Sequence, residues 1–202
     1  MSETGVVKFA CEHVATKLAS FAGMEELNVC RGQLLARGWL GVDAQGIGFG
    51  NLSVRDGTSG RFFITASGTG GFAELTLEHY ARVTEYDLQR NWLQCEGAAV
   101  ASSESLTHAA IYGCASEVRA VLHCHAPELW RRWREVAPTT AAAVEYGTPA
   151  MAGEVRRLFR ETHVLQRSLF VMGGHENGVV AFGAGIADAM AALDRSTANR
   201  VA

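Results

Sequence analysis

The chain has 202 residues, the length of one domain built on a single core. Its 48% apolar and 19% charged content excludes a disordered chain. Eighteen Lys plus Arg against 21 Asp plus Glu give a net charge of -3, so there is no basic field to draw nucleic acid or an anionic bilayer.

Five cysteines, odd in number and without a C-x-x-C pair, speak against a disulfide framework or an all-cysteine zinc site. With no leader-like N-terminus and no apolar run of about 18 residues, the expectation is a soluble, cytoplasmic protein. In residues 6 to 20, Val6, Val7, Ala10, Val14 and Leu18 share a helical face, and in residues 24 to 38 Leu27, Cys30, Leu34 and Leu35 do the same. Runs of β type at 50–55 and 61–65 flank Asp56-Gly57 and Ser59-Gly60, which is hairpin chemistry, and a second pair is predicted at 81–86 and 92–95. Helix returns over 104–112, and 118–123 is a strand run leading into His-Cys-His. Beyond it the pattern predicts a helix at 127–135, a short strand at 142–145 and a helix at 150–163. Strands at 169–172 and 178–182 and a helix at 185–193 complete the chain. Hairpins interleaved with helices predict an α/β single domain: a mixed, mainly antiparallel central β-sheet covered by helices on both faces.

His123 and His125 stand two apart at the end of a predicted strand, so the period of two turns both imidazoles to one side of the sheet. With Cα atoms about 6.5 Å apart, both can reach an ion held about 2.0 to 2.1 Å from each nitrogen. The plain alternative is two histidines on an exposed strand end. A third ligand is needed, and His175, in the Gly-Gly-His-Glu-Asn-Gly turn between two predicted strands, is the candidate. Glu104 heads a helix after Ala101-Ser102-Ser103, where an acid meets the helix dipole. Beside a metal, the same carboxylate would exchange protons with a substrate. His108, four residues on, is read as a hydrogen-bonded core histidine rather than a ligand.

Three segments, Gly50-Asn51-Leu52-Ser53, Thr65-Ala66-Ser67-Gly68 and Ser102-Ser103, combine small residues, hydroxyls and a helix start, which together suit a phosphate. None is a nucleotide-binding fingerprint. The group Trp130, Trp133, Arg131, Arg132 and Arg134 is the one hint of a subunit interface.

Taken in order, Gly50-Asn51-Leu52-Ser53-Val54-Arg55, Phe63-Ile64-Thr65-Ala66-Ser67-Gly68, Ala101-Ser102-Ser103-Glu104, His108-x-x-x-Tyr112, Val121-Leu122-His123-Cys124-His125-Ala126 and Gly174-His175 resemble the class II aldolase/adducin family. The resemblance runs over roughly residues 24 to 193 and implies a family domain over 24–195, an N-terminal helical segment over 1–23 and a tail over 196–202. It implies that His123, His125 and His175 hold one divalent ion per subunit, usually Zn2+ with Mn2+, Co2+ or Fe2+ as alternatives, and that Glu104 is the acid/base. Asn51, Ser67, Gly68, Ser102 and Ser103 would hold a substrate phosphate, and the assembly would be a homotetramer. The implied activity is a metal-dependent lyase, cleaving a carbon-carbon bond of a small phosphorylated sugar or hydroxy acid through a metal-stabilised enediolate. The same resemblance covers dehydratases, decarboxylases and epimerases, and the non-catalytic adducin-like scaffold. A glutamate rather than an aspartate at 104 is nearer the aldolase and dehydratase pattern, and retention of the three histidines with Glu104 speaks against the scaffold.

Two departures stand out. Between His125 and Gly147 the chain is shorter than in the sugar-phosphate aldolases, with no counterpart of the tyrosine that protonates the leaving aldehyde in some of them; Tyr146 lies elsewhere in the pattern. In the third-ligand loop, Glu176 and Asn177 look like an insertion.

Overall fold

The structure, a computed structural model, describes residues 8–198. The first seven residues of the expected N-terminal segment and the last four of the expected tail lie outside the described residues. Eight strands form one sheet, in the spatial order β1 (Ala10–Ala15), β7 (Trp92–Gly97), β6 (Tyr80–Asp87), β5 (Phe62–Thr65), β4 (Asn51–Arg55), β8 (Ala120–His125), β10 (Gly178–Gly183) and β9 (Leu169–Val171). Six of the pairings are antiparallel and one, β1 with β7, is parallel, so the sheet is mixed. Two short strands, β2 (Gly41–Val42) and β3 (Gly48–Phe49), make a separate hairpin.

Alternating side chains divide the interior into two cores, one on each face of the sheet. Phe62, Ile64, Val83, Leu93, Val121, Phe170, Val180 and Phe182 pack with residues of α2 (Ser105–Cys114) and α4 (Pro149–Glu161). Leu52, Leu122, Cys124, Val179 and Ala181 pack with residues of α1 (Met24–Ala36), α3 (Pro127–Trp133) and α6 (Ile186–Ala198). At about 1.5 to 3 kcal/mol for each fully buried large apolar side chain, these two layers drive the fold. Covered on both sides, β8 is buried from Ala120 to Cys124, and its apolar run is interrupted only by His123.

The helix boundaries follow local chemistry. Thr148 accepts the Met151 N–H at 3.3 Å and Pro149 opens α4. At the end of α1, Gly38 adopts φ 69°. The Gly38 N–H reaches the Leu35 carbonyl at 2.9 Å and the Trp39 N–H that of Leu34 at 3.0 Å, the paired bonds that close a helix on a glycine. The turn has a use further on, because the Trp39 carbonyl then accepts the His125 N–H at 2.9 Å.

Two expectations are corrected. Within the described part of the 6 to 20 segment no helix forms: residues 10–15 are the edge strand β1. Cys11 and His13 alternate toward β7, Cys11 Sγ lying 3.6 Å from Cys95 Sγ and His13 Nε2 2.9 Å from the Gly97 carbonyl oxygen. Satisfying an open sheet edge outweighs a weak one-face helical pattern. The strand expected at 142–145 is instead irregular backbone; Thr139, just before it, makes a single bridge to Val171. Trp130 and Trp133, the hinted interface residues, are also used within the chain. Their indole N–H groups donate to the Met172 and Ser196 carbonyls at 2.9 and 3.0 Å, tying α3 to the rest of the chain. The hairpin of β2 and β3, the turn Leu77–His79 and α5 (Val164–Arg167) are elements the sequence pattern does not announce.

Candidate active site

β8 lies between β4 and β10, with Asn51 opposite His123 and Gly178 opposite His125. The chain leaves β9, turns through 172–177 and returns as β10, which carries His175 back over the end of β8. The His175 N–H donates to the Met172 carbonyl at 3.2 Å, and the Gly178 N–H to the His175 carbonyl at 2.9 Å. The turn and the start of β10 leave no room for a side chain at three glycines: a Cβ on Gly178 would lie 2.7 Å from the His175 ring, one on Gly174 would meet the Val144 carbonyl and one on Gly173 the Thr140 carbonyl. The three imidazoles gather with ring centroids 4.7 to 5.3 Å apart.

Glu104 comes from the other side of the cavity. Residues 101–104 are joined to the 65–70 loop by an Ala66–Ala101 bridge and by the Ser67 N–H donating to the Val100 carbonyl at 2.9 Å. The loop is held from beneath by Arg31 of α1, a buried guanidinium donating to the Thr69 and Gly70 carbonyls at 2.7 and 2.9 Å. Glu104 is buried at the start of α2; its Oε2 accepts from Thr107 Oγ1 at 3.0 Å, and its Oε1 has no hydrogen-bond partner. That free oxygen lies 3.8 Å from His175 Nε2. One cavity of about 160 Å³ is lined by Asn51, Ser67, Gly68, Ser102, Ser103, Glu104, His123, His125 and His175 together. All nine sequence-derived candidates therefore share one space.

The Asn51 side chain has a further engagement: its carboxamide spans His123 Nδ1 at 3.3 Å and His108 Nε2 at 2.8 Å. His108 is fully buried and outside the cavity lining, so it occupies the core-histidine role.

Burial sets the electrostatics. It pushes the Glu104 carboxyl up to about 7, against the lowering effects of Thr107 and Lys8. Burial also holds His125 down to about 4 and His175 to about 3, and keeps His123 well below the usual imidazole value. Three neutral imidazoles offer lone pairs where imidazolium would offer none.

These residues fit a divalent ion. One ligand atom from each histidine lies within 4.8 Å of the others. His123 Nε2 is buried without a partner, and His125 Nε2 and His175 Nε2 face each other at 2.9 Å. Two neutral ring nitrogens at that separation need a proton or a cation between them, and an all-imidazole donor set suits zinc and its first-row neighbours.

Sequence reasoning misplaced one residue and missed a wall. Tyr146 lines the cavity with its ring centroid 4.3 Å from that of His175, and Lys8 Nζ sits 3.9 Å from the Tyr146 centroid. The hairpin of β2 and β3 supplies Asp43 and Phe49, the latter stacked on His125 at 4.9 Å. The only signal for it was the glycine-rich approach to Asn51, where Gly50 takes φ 79° against Leu40. Glu176 is exposed and lies outside the cavity lining.

Comparison with solved structures shows the same fold. An L-fuculose 1-phosphate aldolase superposes with a TM-score of 0.66 at 20% identity, over 91% of this chain and 85% of that one. The L-fuculose-1-phosphate aldolase of Thermus thermophilus gives 0.58 at 24% identity, over 87% and 90%. The Klebsiella pneumoniae protein YgbL, described as an aldolase/epimerase/decarboxylase, gives 0.64 at 20% identity, over 85% and 83%. Among curated proteins, none matches the sequence significantly. The sequence profile of the Class II Aldolase and Adducin N-terminal domain matches residues 33–196, most of the chain, and the protein belongs to that family.

Proposed function

We propose that the protein is a divalent-metal-dependent lyase that cleaves a carbon-carbon bond in a small phosphorylated sugar or hydroxy acid. The reading is carried by one observation: two buried atoms without partners, Glu104 Oε1 and His123 Nε2, belong to the cavity where His125 and His175 also meet. Buried polar atoms left unpaired are costly, and a site made to receive a ligand accounts for both. His123, His125 and His175 would hold the ion, zinc being the best match to three nitrogens. When bound, it supplies Lewis-acid polarisation of a substrate oxygen.

The protein's own groups do the rest. Hydroxyls of Ser67, Ser102 and Ser103, the Asn51 amide and the backbone at Gly68 take the phosphate, which α2 meets with the positive end of its dipole. Glu104, with its carboxyl near neutrality, carries the proton exchanged at the substrate carbon. Tyr146, whose ring lies against His175 in the cavity lining, holds the hydroxyl proton exchanged at the oxygen that becomes the aldehyde. The working assembly is a homotetramer, checked by light scattering; a single-chain mass at micromolar concentration refutes it.

No helix among the described residues is long and apolar enough to cross a membrane. The test is a screen of zinc-loaded protein against ketose 1-phosphates, pentulose 5-phosphates and phosphorylated hydroxy acids, with products identified by mass spectrometry. Two fragments whose formation stops on chelation are expected. A product of unchanged carbon number, or loss of carbon dioxide, would replace the aldol-cleavage reading by epimerisation, dehydration or decarboxylation.

A further inference from the structure

Behind His123 runs an unbroken chain of buried hydrogen bonds. His123 Nδ1 meets Asn51 Nδ2 at 3.3 Å, and Asn51 Oδ1 meets His108 Nε2 at 2.8 Å. His108 Nδ1 meets Ser53 Oγ at 2.7 Å, and Ser53 Oγ meets the Tyr112 hydroxyl at 2.8 Å. All five residues are buried, from β8, β4 and α2, and the elements hold them by ladder register rather than by flexible loops.

Each link has a direction, because a neutral imidazole has one N–H and one lone pair. With this orientation of the amide, the four links can be made in one sense only. Tyr112 donates to Ser53, Ser53 to His108 Nδ1, His108 Nε2–H to Asn51 Oδ1, and Asn51 Nδ2–H to His123 Nδ1. His123 then carries its proton on Nε2, the buried ring nitrogen that has no partner. In that tautomer His123 cannot ligate through Nε2. A carboxamide turned over presents the same shape with its ends exchanged, and the chain can then run the other way: His123 Nδ1–H to Asn51 Oδ1, Asn51 Nδ2–H to His108 Nε2, His108 Nδ1–H to Ser53, and Ser53 to Tyr112.

We propose that His108 is a positioning residue, coupled through Asn51 to the tautomer of His123, and that the whole chain reverses direction when an ion takes His123 Nε2. The proposal rests on the metal site assigned to the three histidines. Each imidazole gives up the proton on one ring nitrogen and takes one on the other, the hydroxyls rotate and the amide turns over, so no net proton or charge is gained. The surplus donor moves from the cavity to the Tyr112 hydroxyl. Outer partners of ligating histidines generally fix tautomer and ring orientation; here the partner is a two-way amide, which permits both states.

The test is read on the wild-type protein labelled with 15N-histidine, because two-bond 1H–15N correlations distinguish Nδ1–H from Nε2–H rings. His108 is assigned by the signal missing from His108→Gln. The expected result is an Nε2–H ring at His108 without metal and an Nδ1–H ring after one equivalent of zinc, although His108 does not touch the ion. Zinc that binds while His108 keeps one tautomer overturns this proposal and leaves the metal site standing. Zinc that leaves His123, His125 and His175 unshifted overturns both. Asn51→Asp supplies the control, since a carboxylate only accepts. His108 should then stay Nε2–H in both states, and a His108 that still switches would show that the coupling does not pass through Asn51.

Discussion

Arg31 is a buried charge with backbone carbonyls rather than a carboxylate for partners. Its Nη2 donates to Thr69 O at 2.7 Å and Gly70 O at 2.9 Å, and Nη1 reaches Ala73 O at 3.5 Å. These contacts pin the loop that presents Ser67 and Gly68 to the cavity. In Arg31→Met the stem is replaced and the guanidinium is lost, leaving the Gly70 carbonyl buried and unpaired while the Thr69 carbonyl keeps the Phe72 N–H at 3.1 Å. At about 1 to 3 kcal/mol for one orphaned carbonyl, that is also the cost expected, reduced by the desolvation the guanidinium no longer suffers. Against a total stability of about 5 to 15 kcal/mol, a folded but weakened protein is expected. Urea denaturation should show a lower midpoint at unchanged slope. Inorganic phosphate, titrated calorimetrically, should bind about tenfold more weakly, equivalent to ~1.4 kcal/mol. Zinc content should be unaffected, because the three histidines come from β8 and the turn before β10. Arg31→Lys, which keeps a charge but not the planar fork, should fall between. Stability within ~0.5 kcal/mol of wild type in Arg31→Met, together with unchanged phosphate affinity, would refute the reasoning.

Three further substitutions separate the roles within the cavity. His175→Ala should strip most of the bound zinc on dialysis, measured by atomic emission; full occupancy would rule His175 out as a ligand. Glu104→Gln should keep fold and zinc while turnover falls about 10²- to 10⁴-fold, the range for a general acid/base; unchanged turnover would leave Glu104 as no more than the start of α2. Tyr146→Phe preserves the ring against His175 and removes only the hydroxyl, so a comparable fall in cleavage rate at constant zinc content is expected, and an unaltered rate sinks the proton-exchange role.

Most of the fold was legible because its signals are local. Hairpin dipeptides mark the connection from β4 to β5, and glycine after α1 and proline at the head of α4 mark helix ends at the right places. Residues 10–15 failed for a non-local reason. Their apolar spacing fits a helix, yet what decides the conformation is the unfilled parallel edge of β7, more than 75 residues downstream, with Cys95 and Gly97 waiting for Cys11 and His13. No window around residue 12 contains that information. The 142–145 segment fails similarly: its Ala-rich stretch lies against the 173–174 turn, where the Gly173 N–H donates to Thr140 Oγ1 at 3.0 Å, instead of pairing as a strand.

The site was legible to the extent that its chemistry is concentrated in short motifs. His-x-His on a strand encodes its own geometry, since period two does the placing, and the Gly-Gly-His turn states that an imidazole sits where no neighbouring Cβ fits. Tyr146 has no such syntax. It stands in an irregular stretch before α4, and its place in the cavity comes from two contacts made at a distance, the His175 ring on one hand and Lys8, from the chain just before β1, on the other. The strand missed in the sequence and the tyrosine missed in the site therefore have one physical cause. Pairing of β1 with β7 fixes the path of the N-terminal segment, Asn91 Nδ2 holds the Lys8 carbonyl at 2.7 Å, and Lys8 in turn lies over the Tyr146 ring and 3.3 Å from the Glu145 carboxylate. Reading residues 6 to 20 as a free helix removes that support, and with it the reason for Tyr146 to face the histidines.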